Sequence, residues 1–331
     1  MSDYKKFYIP KAKGGVRTIE APCEKLKEEQ KNILNKLEDN ENFKPSYFTH
    51  SFMKGRNVVT AAKPHVGKKY LLKMDVSDFF GSIKLKTFLQ QLMLVQDNTT
   101  WAYKGKLSTS PGYLTKNYDK EFLKEIGKKC FRGKIHKDLD RKMSADEAVE
   151  LVYKGGWNND WIDETWLPQG APTSPYLSNV FMRRFDWMVA WFCARPSIEN
   201  YKLDAVRYSR YADDLFFSSD DRWWLKKVKN YVEEQLNRLS LEINNDKGGL
   251  FKDGQRKQVC GVIVNEKLNA PREMRRKNRA RKHQAQFDER GMDNIRQGKI
   301  AYQEMIEKQK ERGFPENNID VTRRLTVINN I

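Results

Sequence analysis

Tyr211-Ala212-Asp213-Asp214-Leu215-Phe216-Phe217 sets two adjacent carboxylates between an aromatic residue and an apolar run. Val206, Tyr208 and Arg210 alternate with their neighbours on the approach, and β-prone residues flank both sides. Consecutive strand residues point to opposite faces, so neighbouring aspartates reach one place only at a turn. The stretch reads as a β-hairpin with carboxylates at its tip. Taken alone it reads equally well as an ordinary Asp-Asp turn, which aspartate favours for its local backbone bonding.

A second acidic cluster tips that balance. Tyr70-Leu71-Leu72-Lys73-Met74 is a largely apolar strand leading into Asp75-Val76-Ser77-Asp78, and helix-like sequence follows from Phe79-Phe80-Gly81-Ser82-Ile83. Asp75 beside Asp213 and Asp214 gives three hard oxygen ligands, suited to Mg²⁺ rather than to a soft metal. Polymerases and nucleases use such carboxylates to hold two ions roughly 3.5–4 Å apart, one activating a hydroxyl and the other stabilising the leaving oxygen. Asp78 reads as a cap of the next helix or a solvent-facing residue. A third element, Leu167-Pro168-Gln169-Gly170-Ala171-Pro172-Thr173-Ser174-Pro175, is a constrained loop. Its glycine lets a backbone approach a ligand closely. Helical sequence then runs from Tyr176-Leu177-Ser178-Asn179 through Phe185 and Trp187.

Taken in order, these three motifs resemble those of a reverse transcriptase, an RNA-directed DNA polymerase. The resemblance implies an α+β right-hand fold of fingers, palm with antiparallel sheet, and basic helical thumb. It implies catalytic roles for Asp75, Asp213 and Asp214, and assigns Mg²⁺ to Asp75, Val76, Asp213 and Asp214. Gln169 and Gly170 match the loop beside the nascent base pair. Phe7-Tyr8-Ile9-Pro10-Lys11 and Gly14-Gly15-Val16-Arg17-Thr18-Ile19 resemble the fingers hairpin of bacterial enzymes, with Lys11 and Arg17 as template or triphosphate contacts. Lys247, after Leu241-Glu242-Ile243-Asn244-Asn245-Asp246, resembles the lysine near the incoming triphosphate. Phe80, five residues after Asp75, falls where the family places a steric gate against the ribose 2′-OH; the other reading is a core phenylalanine.

Two further stretches resemble bacterial retron enzymes in particular. Ala61-Ala62-Lys63-Pro64-His65 is similar to their Asn-Ala-X-X-His motif, with Ala61 where Asn is usual. Val259-Cys260-Gly261-Val262-Ile263-Val264-Asn265 is similar to their Val-Thr-Gly segment, with Cys260 where Thr is usual. The resemblance assigns His65, Val259, Cys260 and Gly261 to RNA contact. It further implies a cognate structured non-coding RNA as template and primer, dNTPs as substrates, a DNA product joined to that RNA, and a role in antiphage defence. Residues 97–160 read as an insertion containing Trp101, Tyr103, the loop from Leu107 to Tyr113 and a charged helical run from Tyr118 to Lys129. It would dock RNA, a partner protein or another copy of the chain, or be a solvated loop and helix.

Composition agrees. The 331 residues carry Lys+Arg 62 against Asp+Glu 44, a formal net charge of +18, which favours a polyanionic partner. Arg272, Arg275, Arg276, Lys277, Arg279, Arg281 and Lys282 crowd one helical segment after Pro271. That segment sits where a thumb would grip duplex through phosphates and 2′-OH groups. The sequence divides into fingers and palm over 1–265 and a basic thumb with its tail over 266–331, the tail packing Leu325-Thr326-Val327-Ile328 against the thumb. Cys23, Cys130, Cys193 and Cys260 are scattered, without zinc spacing, as in a reduced intracellular chain. The N-terminus lacks a signal peptide's apolar core, and no apolar run approaches the roughly 20 residues of a membrane span. A bacterial cytoplasmic protein is expected. Rival readings are a non-retron or group II intron-like reverse transcriptase, a metal-dependent nuclease, and an idle RNA-binding scaffold.

Overall fold

The structure is a computed structural model, and it describes residues 3–11, 14–94, 118–137, 141–153, 161–198, 205–285 and 294–311. Its centre is a four-stranded antiparallel sheet in the order Arg207–Tyr211, Asp214–Ser219, Tyr70–Asp75, Gly249–Phe251. The first two strands are the hairpin expected from the sequence. Register pairs Asp214 with Tyr211 on one side and with Asp75 on the other. Alternation divides these strands between two apolar clusters. Leu72, Met74, Leu215 and Phe217 enter the larger one, and Leu71 and Phe216 the smaller. Burial on both faces explains why Leu215-Phe216-Phe217 is a continuous apolar run rather than an alternating one.

Helices cover the larger face. Ser174–Phe181 and Arg183–Ile198 follow the Pro-rich loop, so the expected single helical stretch is interrupted near Met182. Arg222–Arg238 buries Trp224, Leu225, Val228, Val232 and Leu236, an amphipathic stripe, and Asp221 caps its start by accepting from the Trp223 and Trp224 N–H groups. The segment expected to be an insertion is built into this core over its described part. Helix Lys120–Cys130 buries Leu123 and Ile126, helix Ala145–Tyr153 buries Val149 and Val152, and Tyr118 and Phe122 pack edge-on against Phe43. This corrects the alternative of a merely solvated loop and helix. Trp101, Tyr103, the 107–113 loop and the tail from 313 lie outside the described residues.

The N-terminal strands Tyr4–Pro10 and Val16–Pro22 form a hairpin whose distal half is exposed. At the other end of the chain, helices Arg272–Ala285 and Asn294–Glu311 pack together, and Met274, Tyr302, Met305 and Ile306 join the smaller cluster with Val259, Val262 and Val264. Among the described residues no helix is long and apolar enough to cross a membrane. Class and architecture are the α+β arrangement, helices over an antiparallel sheet, that the sequence implies.

Candidate active site

Ala212 and Asp213 form the two-residue turn between the paired strands, and Ala212 takes a left-handed φ of 56°. That conformation is sparsely populated for residues with a Cβ, and the surroundings hold it. The Ala212 N–H donates to Ser51 Oγ at 2.7 Å, and its carbonyl accepts from Arg210 Nη1 at 3.2 Å. The Asp213 carbonyl accepts from the Val76 N–H at 3.0 Å, which ties the turn to the end of the Asp75 strand. Beyond Asp75, Ile243 bridges Val76, and the Asn244 N–H donates to the Asp75 carbonyl at 2.8 Å. These bonds bring Asp75, Asp213, Asp214 and Lys247 to one end of the sheet.

Two ammoniums stand against the acids. Lys73 Nζ lies 2.8 Å from Asp214 Oδ1, and Lys247 Nζ lies 3.2 Å from Asp75 Oδ1. Apart from these ammoniums, neither buried Oδ1 atom has a hydrogen-bond donor. Burial pushes the Asp213 carboxyl above its ordinary pKa, and the Asp214 and Asp75 charges add to the effect. Burial likewise raises Asp214, against the pull of Lys73. No three His, Cys, Asp or Glu side chains among the described residues close around one cation position. Two buried carboxylate oxygens on adjacent strands, each met only by a lysine ammonium, are nevertheless the hard donors a divalent ion takes up, so the residues fit the Mg²⁺ the sequence implies. Val76 is 2% exposed and packed in the apolar core, so only its backbone could serve.

The Gln169 loop is tied to the site from two sides. The Leu167 N–H donates to the Phe80 carbonyl at 3.2 Å, and the Glu20 N–H donates to the Gln169 carbonyl at 2.7 Å. Gly170, at φ +125°, packs so closely on the N-terminal hairpin that a Cβ would meet Ile19 Cγ2 at 2.8 Å and the Glu20 carbonyl at 2.9 Å. Its close backbone approach is therefore to the hairpin. Glu20 is buried and receives Trp166 Nε1–H at 2.7 Å and the Arg132 guanidinium, locking hairpin and loop together. Phe79 is the inward ring of its pair and Phe80 is half-buried, packed on the core's margin. Asp78 is exposed and makes no side-chain cap bond. Lys11 and Arg17 stand on the exposed end of the hairpin, and no hydrogen bond or ion pair joins either to Asp75, Asp213 or Asp214.

Two residues assigned to RNA contact are interior. His65 is 1% exposed and lies 2.8 Å from both Ser209 Oγ and Ser218 Oγ, with Ser209 donating in turn to the Ala61 carbonyl. It clasps the two hairpin strands from behind, and burial depresses its pKa to about 3. Val259 is wholly buried in the smaller apolar cluster. Both corrections have one cause: each side chain points into the sheet's second core. Cys260 and Gly261 form the turn of the hairpin from Gln258 to Ile263, with φ 49° and 81°, and the Cys260 carbonyl accepts from Tyr302 OH. Arg272, Arg276 and Arg279 are exposed on their helix, whereas Arg275 and Arg281 are half-buried and Arg281 bonds Asn278.

Sequence reasoning missed the support beneath the turn. Arg210 and Asp186, both 0% exposed, form an ion pair through Nε–Oδ1 and Nη2–Oδ2, each 2.8 Å. Asp186 also accepts from Tyr208 OH and Ser46 Oγ, each at 2.7 Å. Arg210 Nη1 donates to Asn179 Oδ1 at 3.0 Å, and Asn179 Nδ2 donates to the Ser51 carbonyl at 2.9 Å. The signal was a lone acid among Phe185, Trp187, Met188 and Val189, which demands a buried cation.

The reverse transcriptase (RNA-dependent DNA polymerase) family pattern matches residues 9–264. Retron Mx65 reverse transcriptase of Myxococcus xanthus is 31% identical over 281 residues, 85% of this chain; the chain spans only 56% of that relative's length. Retron Ec83 reverse transcriptase of Escherichia coli is 30% identical over 278 residues, 82% of this chain and 72% of the relative. Among solved structures, telomerase from Candida albicans in complex with a telomeric RNA fragment aligns at TM-score 0.42 and 14% identity, over 81% of this chain and 46% of that one. Assignment therefore rests on the sequence matches, and by these the chain belongs to the reverse transcriptase family of RNA-dependent DNA polymerases, among the retron enzymes.

Proposed function

We propose that this chain extends a primer hydroxyl with deoxynucleotides on an RNA template. The observation that carries the reading is the register of Asp214 against Asp75, with Asp213 fixed beside them by the Val76 N–H. Asp75, Asp213, Asp214 and the Val76 backbone would hold Mg²⁺. Bound there, the ion supplies Lewis-acid chemistry, activating the hydroxyl and offsetting charge on the departing pyrophosphate. Lys73 and Lys247 balance the acids, and Lys247, 52% exposed, is able to swing to a triphosphate. Phe80 screens the sugar, Gln169 and Gly170 back the nascent pair, and Lys11 and Arg17 meet template or triphosphate from the hairpin.

Residues 1–265 act as fingers and palm, and 266–331 as thumb and tail. Arg272, Arg276 and Arg279, with Arg275 and Arg281 behind them, grip the duplex backbone, and the Cys260-Gly261 turn meets RNA. Likeness to retron enzymes supports a cognate structured RNA, a DNA joined to it, antiphage defence with an effector partner, and a bacterial cytoplasmic setting. Extension of an RNA-templated primer with Mg²⁺ tests the reading. Activity is expected in the native chain and absent from Asp213→Asn/Asp214→Asn; equal activity in the double variant overturns it.

A further inference from the structure

Phe52 stands beside the turn that carries Asp213, with half its surface in solvent and its backbone out of the common range. It is 50% exposed at a left-handed φ of 54°. A bulky side chain rarely takes that conformation, and it persists only where the surroundings impose it. Here they do. The Arg210 N–H donates to the Phe48 carbonyl and the His50 N–H to the Arg210 carbonyl, each at 2.8 Å. Residues 48–50 thus run parallel to strand Arg207–Tyr211, toward the turn. Ser51 is fixed there from two sides. Its Oγ accepts from the Ala212 N–H, and its carbonyl accepts from Asn179 Nδ2, on the helix that follows the Gln169 loop. After Phe52 the chain turns back through Gly55, at φ 76°, and the Arg56 N–H donates to the Met53 carbonyl at 3.1 Å.

Charge selects the ligand. Glu41 and Asp75 are consecutive acids in the sequence, so every full charge between them, this loop included, is a lysine or arginine. Glu41 is itself paired with Lys44, and Asp186, beneath the neighbouring strand, with Arg210. Lys54 is exposed at the loop's tip. Arg56 lies over Tyr47, its guanidinium 4.9 Å from the ring centroid, and its Nη1 donates to the Tyr47 and Thr49 carbonyls. Burial lowers the Arg56 pKa, and the Tyr47 hydroxyl, not a carboxylate, opposes that pull. One exposed phenylalanine is ordinary on a protein surface. A phenylalanine held in a strained conformation, on a loop with two cations and no acid, is a different surface. Single-stranded nucleic acid meets both features, its bases stacking on rings and its phosphates lying on cations.

Position names the strand. Sheet order sets Asp75, Asp213 and Asp214 between two flanks: Lys247, just before the outermost strand Gly249–Phe251, and Phe52, beyond strand Arg207–Tyr211. The phosphates and the base of a nucleotide lie on opposite sides of its sugar. With a triphosphate at Lys247, the incoming base and its partner in the template face the Phe52 flank. We propose that Phe52 stacks on the first uncopied base of the template, with Lys54 on the phosphate beside it, and so sets where single strand meets nascent pair. The proposal rests on the polymerase reading above for the identity of that strand.

The test compares the whole chain's affinity for two fluorescent template–primer duplexes, one blunt and one with a short 5′ overhang of RNA template. The native chain is expected to bind the overhang duplex about tenfold more tightly. Phe52→Ala should lose that increment and leave blunt-duplex affinity unchanged, while Phe52→Trp keeps it. Lys54→Ala should lower the log–log salt slope of overhang binding by about 0.7; an unchanged slope strikes the phosphate contact. An increment that survives Phe52→Ala, or that Phe52→Trp loses equally, overturns the proposal. So does equal weakening of both duplexes in Phe52→Ala, which would make the ring structural. The increment needs no catalysis, so the two readings fail separately. A native chain that shows it but extends no primer sinks the polymerase reading, and one that extends primers without it sinks this site.

Discussion

Arg210 and Asp186 are joined by two 2.8 Å contacts with no solvent access, directly beneath the turn that carries Asp213. Burial opposes the arginine's charge, but Asp186 and its hydrogen bonds outweigh it and leave the guanidinium pKa raised. Through Asn179 and the Ala212 carbonyl, this pair sets where the turn lies.

Removing one partner strands the other's charge in the interior. Asp186→Asn is expected to cost about 3–5 kcal/mol of stability, read as a lower urea midpoint. The double change Asp186→Leu/Arg210→Met should recover much of that stability without recovering activity, because the turn loses its brace. A midpoint unmoved by Asp186→Asn would refute the clamp.

Asp213 and Asp214 should behave in the opposite way. Burial raises the Asp213 and Asp214 pKa values, so their charged forms burden the fold. Asp213→Asn/Asp214→Asn is expected to keep or raise the unfolding midpoint, while primer extension falls on the order of 10³-fold or more. Loss of both stability and activity would mean that the acids are structural.

His65 makes stability pH-dependent. Its folded pKa is depressed to about 3, below the unfolded value of 6.5. The neutral form therefore stabilises the fold above the unfolded pKa, and that contribution is lost as pH falls from 6.5 towards 3. Between pH 7.5 and 5.5 the loss should be about 1.4 kcal/mol. His50 is depressed to about 3 as well and acts in the same direction. Urea titrations across this range, compared with His65→Asn, measure the share: the variant should start less stable and lose less on acidification.

Gly170→Ala places a methyl group against Ile19 and the Glu20 carbonyl at a backbone angle that disfavours a side chain. We expect about 1–3 kcal/mol of destabilisation and a raised KM for dNTP, because the hairpin is displaced from the loop. Unchanged steady-state constants would separate the loop from nucleotide binding.

Phe80→Ala tests the gate. Discrimination against ribonucleotides should drop by roughly tenfold or more, in line with the loss of a steric contact worth a few kcal/mol. If sugar preference in single-nucleotide incorporation stays as it was, Phe80 is only part of the core margin.

Local sequence carried much of this molecule. The two-residue turn, the acidic strand end and the Pro-rich loop are short patterns whose chemistry is written in consecutive residues, and amphipathic spacing wrote the helices. Family membership followed from their order. Tertiary structure alone decided what supports and balances them. Asp186 and Arg210, Lys73 and Asp214, and Lys247 and Asp75 come from different elements, and which cation meets which acid depends on how those elements pack. His65 and Val259 were misassigned for the same reason: a histidine or valine beside a familiar motif has no local mark of which face it takes, and only the sheet's second core turns both inward. The sequence determined which acids stand at the hairpin turn and the strand end; packing decided how they are held, because a buried charge is fixed by whichever distant partner reaches it.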